Sequence, residues 1–529
     1  MIQLAIRVLL TVAAGSPPSL EFTDLSLVGG TTTLEVTGTP HALGAVLLSG
    51  ALLQPPVGEL GIAPPYVILP LGQLPPSGEI VLELRVPHDE LLIGIPYYGQ
   101  AWVDAELSPV ARKRIGPVTL AHPDPKPNSK FGWSVLGADL DHDGYDDLVV
   151  GAARMEVSGI VDRGQVFYSH GPDASTFKTL DAPGLSSSAW YGAALARGDL
   201  NGDGLDDLAV GAILAEVNSL TEAGMVFAFL SPNLDAVPLT EAVPEQGAHL
   251  GAPLEIADFD QDGFNDLIAA APRGTVSGLS TAGRVQIFFG PTLAQQQTLT
   301  EPVPGTLSTF GSCTSVGDID RDGATDLLVG AITATSAGQP FAGQAYLFYG
   351  PSAARVVTIA DPTPHTDDRF GRASTIADFN GDGFDDIAIS AYRASEGLRE
   401  AGEAWVYMGP ARFPIFHLVE PIPELVGEFG VEIASGSLDG NARRELAIGT
   451  EFASLPGGYF KSGALLLYRD GDFEHPQRLS EHEPQGGAVF GFSIAFLNLY
   501  GAGRQSIAAG AIHYDESGMF NVGRVTLFP

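Results

Sequence analysis

Five short acidic segments share one arrangement of oxygen-bearing side chains, Asp-x-(Asp/Asn)-x-Asp-Gly-x-x-Asp. A calcium ion takes about six to eight oxygen ligands from carboxylates, amides and backbone carbonyls. Side chains at positions one, three, five and nine, with the carbonyl at position seven, could supply such a set. The pattern therefore predicts about five calcium ions with a structural role. The predicted ligands are Asp139, Asp141, Asp143, Tyr145 and Asp147; Asp199, Asn201, Asp203, Leu205 and Asp207; Asp258, Asp260, Asp262, Phe264 and Asp266; Asp318, Asp320, Asp322, Ala324 and Asp326; and Asp378, Asn380, Asp382, Phe384 and Asp386.

The first six positions look like an EF-hand loop, but the Glu that an EF-hand needs at position twelve is absent. Position twelve is Val, Ala or Ile within a β-prone run, so each segment is predicted to connect two strands. Oxygen donors alone disfavour zinc and copper. Magnesium is the closer competitor, but it rarely takes an all-protein cage. Acidic turns without a metal are the other alternative, which the mutual repulsion of four or more carboxylates in nine residues disfavours.

Two further segments stand at the same register but depart from the pattern. Residues 437–445 lack the first Asp and the Gly and contain two arginines. Residues 498–506 contain no carboxylate. We predict that the seventh segment binds no calcium, and we expect none at the sixth.

The acidic segments recur because the chain is built from a repeat. A Gly that follows an aromatic residue or Leu returns every 59 to 61 residues, seven times in all, at Gly132, Gly192, Gly251, Gly311, Gly371, Gly430 and Gly491. After each Gly come the acidic segment, a β-prone run, a variable loop, a third strand that follows a Gly, and a short fourth strand. Four strands in about 60 residues make one propeller blade. The repeat predicts an all-β fold with a seven-bladed β-propeller over residues 116–529.

The two ends of this region predict how the ring closes. The last repeat stops after its third strand, at residues 523–529, and a strand near residues 117–120 precedes the first repeat. We expect that N-terminal strand to complete the last blade, which would leave no blade edge open to aggregation.

These repeats resemble FG-GAP repeats, the blades of the integrin α-subunit N-terminal propeller and of many exported bacterial proteins. The resemblance rests on the residue–Gly pairs and the acidic loops, with Tyr191 and Leu250 replacing the usual Phe. It implies that the calcium loops lie on the lower face and that ligands meet the upper face. The upper face would comprise the loops after each second strand and before each Phe-Gly. Candidate ligand residues there are Arg154, Arg163, Trp190, Tyr191, Arg273, Tyr392, Arg393, Phe452, His513 and Tyr514.

The N-terminal region shows no such repeat. Residues 1–15 resemble the remnant of a signal peptide, with an ordinary strand as the alternative. Residues 16–115 read as short strands and turns, which predicts a small β-sandwich-like domain with an adhesive or spacer role.

Composition limits the function. The net charge of −36 would repel phosphate backbones, so we expect no nucleic-acid partner. No stretch is apolar for long enough to predict a transmembrane segment. We find no nucleophile elbow, zinc-protease or phosphate-loop motif, and Cys313 is expected to be a buried structural thiol. The sequence therefore favours a secreted or cell-surface, calcium-stabilised adhesion scaffold that binds a protein or glycan, with a polysaccharide lyase or hydrolase as the alternative.

Overall fold

The chain divides into two compact units near residue 118. The computed structural model describes residues 118–171, 176–185, 188–395, 399–409, 413–423, 425–455, 459–481, 483–499, 505–516 and 518–528, with backbone only for 413–415. Within residues 1–117 it describes the backbone of nine strands. Most of residues 1–15, the predicted signal-peptide remnant, lie outside the described residues.

The strands of the N-terminal unit form two sheets. In chain order, β1 to β9 are Val8–Leu9, Ser19–Phe22, Thr31–Thr37, Leu43–Ser49, Tyr66–Gln73, Glu79–Arg85, Pro96–Val103, Glu106–Leu107 and Ala111–Arg114. One sheet has the order β1-β6-β3-β2, and the other has the order β5-β4-β7-β8 with β9 also paired to β7. Two sheets are what a sandwich requires, but the side chains that would pack between them are not described, so the sandwich stays a prediction.

The second unit is a seven-bladed β-propeller, as the repeat predicted. Each blade is a four-stranded antiparallel sheet. The first strands are Phe131–Ala138, Tyr191–Gly198, Leu254–Ala257, Phe310–Gly317, Phe370–Ala377, Phe429–Gly436 and Phe490–Leu497. The second strands are Asp147–Ala152, Asp207–Ala212, Asp266–Ala271, Asp326–Ala331, Asp386–Ala391, Glu445–Thr450 and Ser506–Ala511. The third strands are Gln165–Ser169, Met225–Leu230, Arg284–Phe288, Gln344–Tyr349, Glu403–Met408, Ala464–Arg469 and Arg524–Phe528. The fourth strands of blades 1 to 6 are Lys178–Leu180, Asp235–Leu239, Gln296–Leu299, Arg355–Ile359, Phe413–Leu418 and Asp472–Leu479.

The fourth strand of blade 7 comes from the other end of the propeller sequence. Val118–Ala121 pairs with the third strand of that blade, Arg524–Phe528. Blade 7 then meets blade 1, where Ser493 Oγ donates to the Gly132 carbonyl at 2.7 Å and the Asn498 amide donates to Asp146 Oδ2 at 2.7 Å. The pairing of Val118–Ala121 with Arg524–Phe528 thus holds the first and last parts of the repeat region in one sheet.

The core lies between the blades. Every residue of all seven second strands is buried, because each of these apolar runs has a neighbouring blade on both faces. The residue before each repeated Gly is also buried, at 1% exposure or less: Phe131, Tyr191, Leu250, Phe310, Phe370, Phe429 and Phe490. The first strands line an axial cavity of about 640 Å³.

Glycine permits a close backbone contact where blades 4 and 5 touch. Gly371 has a φ of +91°, and a Cβ there would lie 2.8 Å from the Gln344 carbonyl oxygen. A Cβ on Gly330, in the second strand of blade 4, would lie 2.3 Å from the Gly371 carbonyl oxygen. The two backbones therefore approach more closely than any larger residue would allow.

No helix among the described residues has the length and apolarity to cross a membrane.

Candidate metal loops and the opposite face

The five acidic segments connect the first and second strands of blades 1 to 5, so they share one end of the propeller. Neighbouring loops are linked. The Asp318 amide donates to Asp385 Oδ2 at 2.8 Å, and Gln261 Nε2 donates to the Gly323 carbonyl at 2.7 Å. These loops form a continuous acidic rim, which we call the lower face.

Position nine holds each loop to its blade. In blade 4, Asp326 Oδ2 accepts the amide of Ile319, at position two, at 3.0 Å, and Oδ1 accepts the amide of Gly350 from the turn after the third strand at 3.1 Å. The other four loops repeat both contacts. All five position-nine carboxylates are at most 1% exposed. Position nine is therefore a structural anchor as well as a candidate ligand.

Positions one, five and six shape the turn. Asp318, at position one of blade 4, accepts the amides of Asp322 at 3.1 Å and Gly323 at 2.9 Å. Asp322 Oδ1 accepts the amide of Ala324 at 2.9 Å. The Gly at position six has a φ between +85° and +95° in all five loops, a conformation that a side chain would strain. The loop backbone is thus folded around its own carboxylates.

The donor set fits a hard cation. Three carboxylates approach within 4.8 Å of one another in blade 1 (Asp139, Asp141, Asp143), blade 3 (Asp258, Asp260, Asp262) and blade 4 (Asp318, Asp320, Asp326). Among the described residues, the buried oxygens Asp258 Oδ1 and Asp320 Oδ1 have no hydrogen-bond partner. Blades 2 and 5 have Asn at position three, and Asn201 and Asn380 each donate to the position-five carboxylate at 3.0 Å.

The charge of these loops is poorly compensated by the chain itself. Burial, together with the carboxylates of the same loop, raises the pKa of Asp266, Asp326 and Asp386 to about 6, against the opposing effect of backbone hydrogen bonds. Burial also raises the pKa values of Asp147 and Asp207. A divalent cation at this end would favour the ionised carboxylates.

Blades 1 and 6 contain residues that the loop pattern alone does not identify. His170, in the turn after the third strand of blade 1, lies with Asp141 and Asp147. In blade 6, where we expected no metal, Asp439, Glu445 and Asp470 converge within 4.8 Å. Asp470 also comes from the turn after the third strand, but its carbonyl accepts Arg443 Nη1 at 2.9 Å. The turn after the third strand recurs in every repeat, so the sequence could have identified its residues as further candidate ligands. In the seventh segment, residues 500–504 lie outside the described residues, so the prediction there stays untested.

Comparison with known families decides what these blades are. The model of the FG-GAP repeat matches residues 131–168, 191–228 and 370–407, and that of the FG-GAP-like repeat matches residues 258–329. The chain contains FG-GAP repeats.

Its relatives are of two kinds. It is 31% identical to integrin alpha-5 of Xenopus laevis over 39% of this chain and 20% of that protein. It is 36% identical to human integrin alpha-IIb over 38% of this chain and 20% of that protein. It is 32% identical to phosphatidylinositol-glycan-specific phospholipase D of Rattus norvegicus over 34% of this chain and 23% of that protein. The FG-GAP chain thus spans about a fifth of the length of the relatives it matches.

The loops at the other end of the FG-GAP propeller form what we call the upper face. They carry the predicted ligand residues, and the structure buries one of these. Tyr191 is 1% exposed and packs edge-on against Phe227, so it is a core residue. Arg163 donates to the carbonyls of Leu185 and Ala182, both at 3.2 Å, and so stabilises the linker between blades.

The remaining predicted ligand residues lie in the loops, several with a partner. Arg154 pairs with Asp162 at 3.1 Å and lies 5.6 Å from the Trp190 ring, while Arg273 is exposed. Four more have charged neighbours: Arg393 near Asp367 and Glu400, Tyr392 near Arg372, Phe452 near Lys461 and Tyr514 near Arg524. Burial, with a further contribution from Lys130, lowers the pKa of His513 to about 4.

The upper face also exposes apolar side chains that the sequence interpretation missed. Among the described residues, the exposed large apolar side chains all lie in upper-face loops, apart from Phe264 in an acidic loop. The upper-face set is Val161, Val243, Val303, Leu307, Phe341, Val419, Ile422, Leu425, Tyr459, Phe460 and Phe520. Phe460 is 66% exposed and Phe520 is 70% exposed. Exposed apolar groups gathered at one end of a molecule are typical of an interaction surface.

Proposed function

We propose that this propeller is a calcium-stabilised, extracellular binding scaffold whose upper face recognises a protein or a glycan. The observation that carries the proposal is the segregation of surface chemistry. One end is an acidic rim of carboxylates, and the opposite end holds the exposed aromatic and aliphatic side chains. Aromatic side chains are frequent energetic anchors of protein interfaces.

Calcium would act on the scaffold rather than on the ligand. Asp139, Asp141, Asp143, the Tyr145 carbonyl and Asp147 would hold the ion in blade 1, and the equivalent residues would do so in blades 2 to 5. A bound ion would join the turn to the buried second strand, because position nine belongs to both. The upper-face loops would then project from a rigid ring, as binding loops commonly do.

Similarity to integrin alpha chains supports an extracellular adhesion role, and similarity to a phospholipase D leaves an enzymatic role as the second candidate. The two candidate functions differ in whether the purified chain converts a substrate. We expect no hydrolysis or cleavage of polysaccharides or of phosphatidylinositol glycan by the purified chain, and measurable turnover would overturn the binding-scaffold proposal.

The experiment that tests the upper face is a binding screen of the full chain against arrays of glycans and of purified extracellular proteins. The double variant F460S/F520S should lose the strongest hit. The matched control is F264S, which removes an exposed aromatic side chain from the lower face and should keep the hit. Equal loss in both variants, or loss in neither, would contradict recognition by the upper face.

A further inference from the structure

Blade 1 differs from the other acidic blades by one imidazole. His170 Nδ1 lies 3.0 Å from Asp141 Oδ2 and 3.1 Å from Asp147 Oδ2. The residue at the same register is Leu230, Phe289, Tyr349 or Met408 in blades 2 to 5, where the next residue again donates its amide to the position-nine Asp. Blade 1 alone among these five therefore adds a nitrogen donor to its carboxylates.

Two of the three separations among the donor atoms suit a small ion. Zinc bonds to His and Asp are about 2.0–2.2 Å long, which places neighbouring donors about 2.8–3.6 Å apart, from octahedral to tetrahedral arrangements. Both separations in blade 1 lie in that range. The donor Asp147 is fully buried and is oriented by the amides of Leu140 and Gly171, so the position of one of the three ligands is already fixed.

The chemistry of the set favours a transition metal over calcium. Imidazole nitrogen binds zinc and its neighbours in the first transition series well, whereas calcium and magnesium select oxygen. We propose that His170, Asp141 and Asp147 form a zinc site in blade 1. Asp141 and Asp147 are also positions three and nine of the calcium loop, so zinc at this site and calcium in the same loop would compete for two carboxylates. The proposal goes beyond the binding scaffold and does not depend on what the upper face recognises.

Lys178 opposes the metal in the metal-free protein. Its Nζ lies 2.6 Å from His170 Nε2. An ammonium group only donates, so this contact needs an Nε2 that accepts. Zinc on Nδ1 would require the ring proton on Nε2, so Lys178 would turn into solvent, where it is already exposed.

The test is a calorimetric titration of the chelator-treated full chain with zinc chloride, without calcium and at saturating calcium, repeated with cobalt(II) to follow its visible absorption. Without calcium we expect one equivalent of zinc and a cobalt band characteristic of nitrogen and oxygen ligands, and saturating calcium should weaken the zinc binding. His170→Phe gives blade 1 the residue of blade 3 and should weaken zinc binding by about tenfold or more. Lys178→Met should tighten it.

Two measurements keep the result interpretable. Phe289→His places an imidazole beside Asp260 and Asp266 of blade 3 and should add a second zinc equivalent. Calcium uptake without zinc is measured on every variant. The zinc site is overturned if calcium uptake is unchanged and either the native chain and His170→Phe bind zinc equally or neither of them binds zinc. His170 would then only form hydrogen-bonded ion pairs with the two carboxylates. Absence of calcium uptake by the native chain would instead contradict the calcium-stabilised scaffold.

Discussion

At the scale of single residues, the carboxylates of one acidic loop have different roles. Asp326, at position nine, is buried and accepts two backbone amides. Asp322, at position five, is exposed and accepts one amide within the turn. Both are candidate ligands, but only the first is also part of the core. Their substitutions should therefore depend differently on calcium.

We predict that Asp326→Ala lowers the melting temperature both in calcium and in chelator. The change leaves the buried amides of Ile319 and Gly350 without an acceptor, at a cost of roughly 1–3 kcal/mol each. Asp322→Ala should lower the melting temperature in calcium and change it little in chelator. Calorimetric melting of both variants in the two buffers checks this. An Asp326→Ala effect confined to the calcium buffer would contradict the anchoring role.

A second residue-scale feature lies in the axial cavity, where Glu255 and Glu432 face the space between the first strands. Burial, with a further contribution from the nearby Glu432, raises the pKa of Glu255 to about 8. Burial raises the pKa of Glu432 to about 7, against the opposing effect of Arg372. The ring of strands thus encloses carboxylates that resist ionisation.

This predicts a loss of stability as pH rises. Both folded-state pKa values lie above the ordinary value near 4.5, so between pH 4.5 and about 8 the folded protein holds protons that the unfolded chain releases. Stability that is present below pH 4.5 is therefore lost as the pH rises towards 8. Glu255→Gln should flatten this decline of the melting temperature, whereas the exposed Asp235→Asn should not. The prediction would be contradicted if plots of melting temperature against pH, from pH 5 to 8.5, run parallel for Glu255→Gln and the native chain.

At the scale of elements, the junction between blades depends on backbone contact and on buried ion pairs. A Cβ on Gly449, in the second strand of blade 6, would lie 2.1 Å from the Gly491 carbonyl oxygen of blade 7. Linkers add charge pairing, as where Arg284 Nε lies 2.5 Å from Glu241 Oε1 and Arg524 Nε lies 2.7 Å from Glu481 Oε1. Each junction is thus specified by contacts between consecutive blades.

We predict that Gly449→Ala destabilises the propeller strongly, because the added methyl group forces the first strand of blade 7 away from blade 6. Ala270 occupies the equivalent position of blade 3, so Ala270→Gly is the matched control and should cost only about 1 kcal/mol of backbone entropy. Melting temperatures and protease resistance of the two variants measure the difference. Equal, small effects would show that the junction tolerates a side chain.

At the scale of the whole molecule, negative charge is the main unfavourable feature of the ring. The chain carries 63 acidic and 27 basic residues, and the carboxylates of five loops lie together on the lower face. Self-repulsion of this kind destabilises a compact state and is relieved by bound cations. Ions that bind only the folded chain add stability that grows with the logarithm of their concentration once this exceeds the dissociation constant.

We predict uptake of about five calcium ions by the chelator-treated chain and a marked rise of its melting temperature when they bind. Calorimetric titration gives the stoichiometry, and melting curves in chelator and in calcium give the stabilisation. Raising the salt concentration in chelator should recover only part of the lost stability, because screening does not replace coordination. Zero uptake, or one melting temperature in both buffers, would contradict the calcium loops.

The sequence alone determined the features that consecutive residues encode. The period from Gly132 to Gly491 set seven blades, since one blade is one local run of four strands. The Asp-x-(Asp/Asn)-x-Asp-Gly pattern located the five loops, because positions one to nine form a single turn closed by its own amides. Local hydrogen bonding and backbone geometry are sufficient for both.

Tertiary structure decided what depends on neighbouring strands and blades. Strand pairing brings His170 to Asp147, 23 residues away, and brings Asp470 to Glu445. Blade packing buries Tyr191, which its aromatic character and loop-end position had assigned to the ligand surface. The same packing covers the apolar strands and leaves apolar loop residues exposed at one end. A side chain's surroundings in a propeller are set by the adjacent strand and the next blade, and residue spacing within one repeat does not specify those contacts.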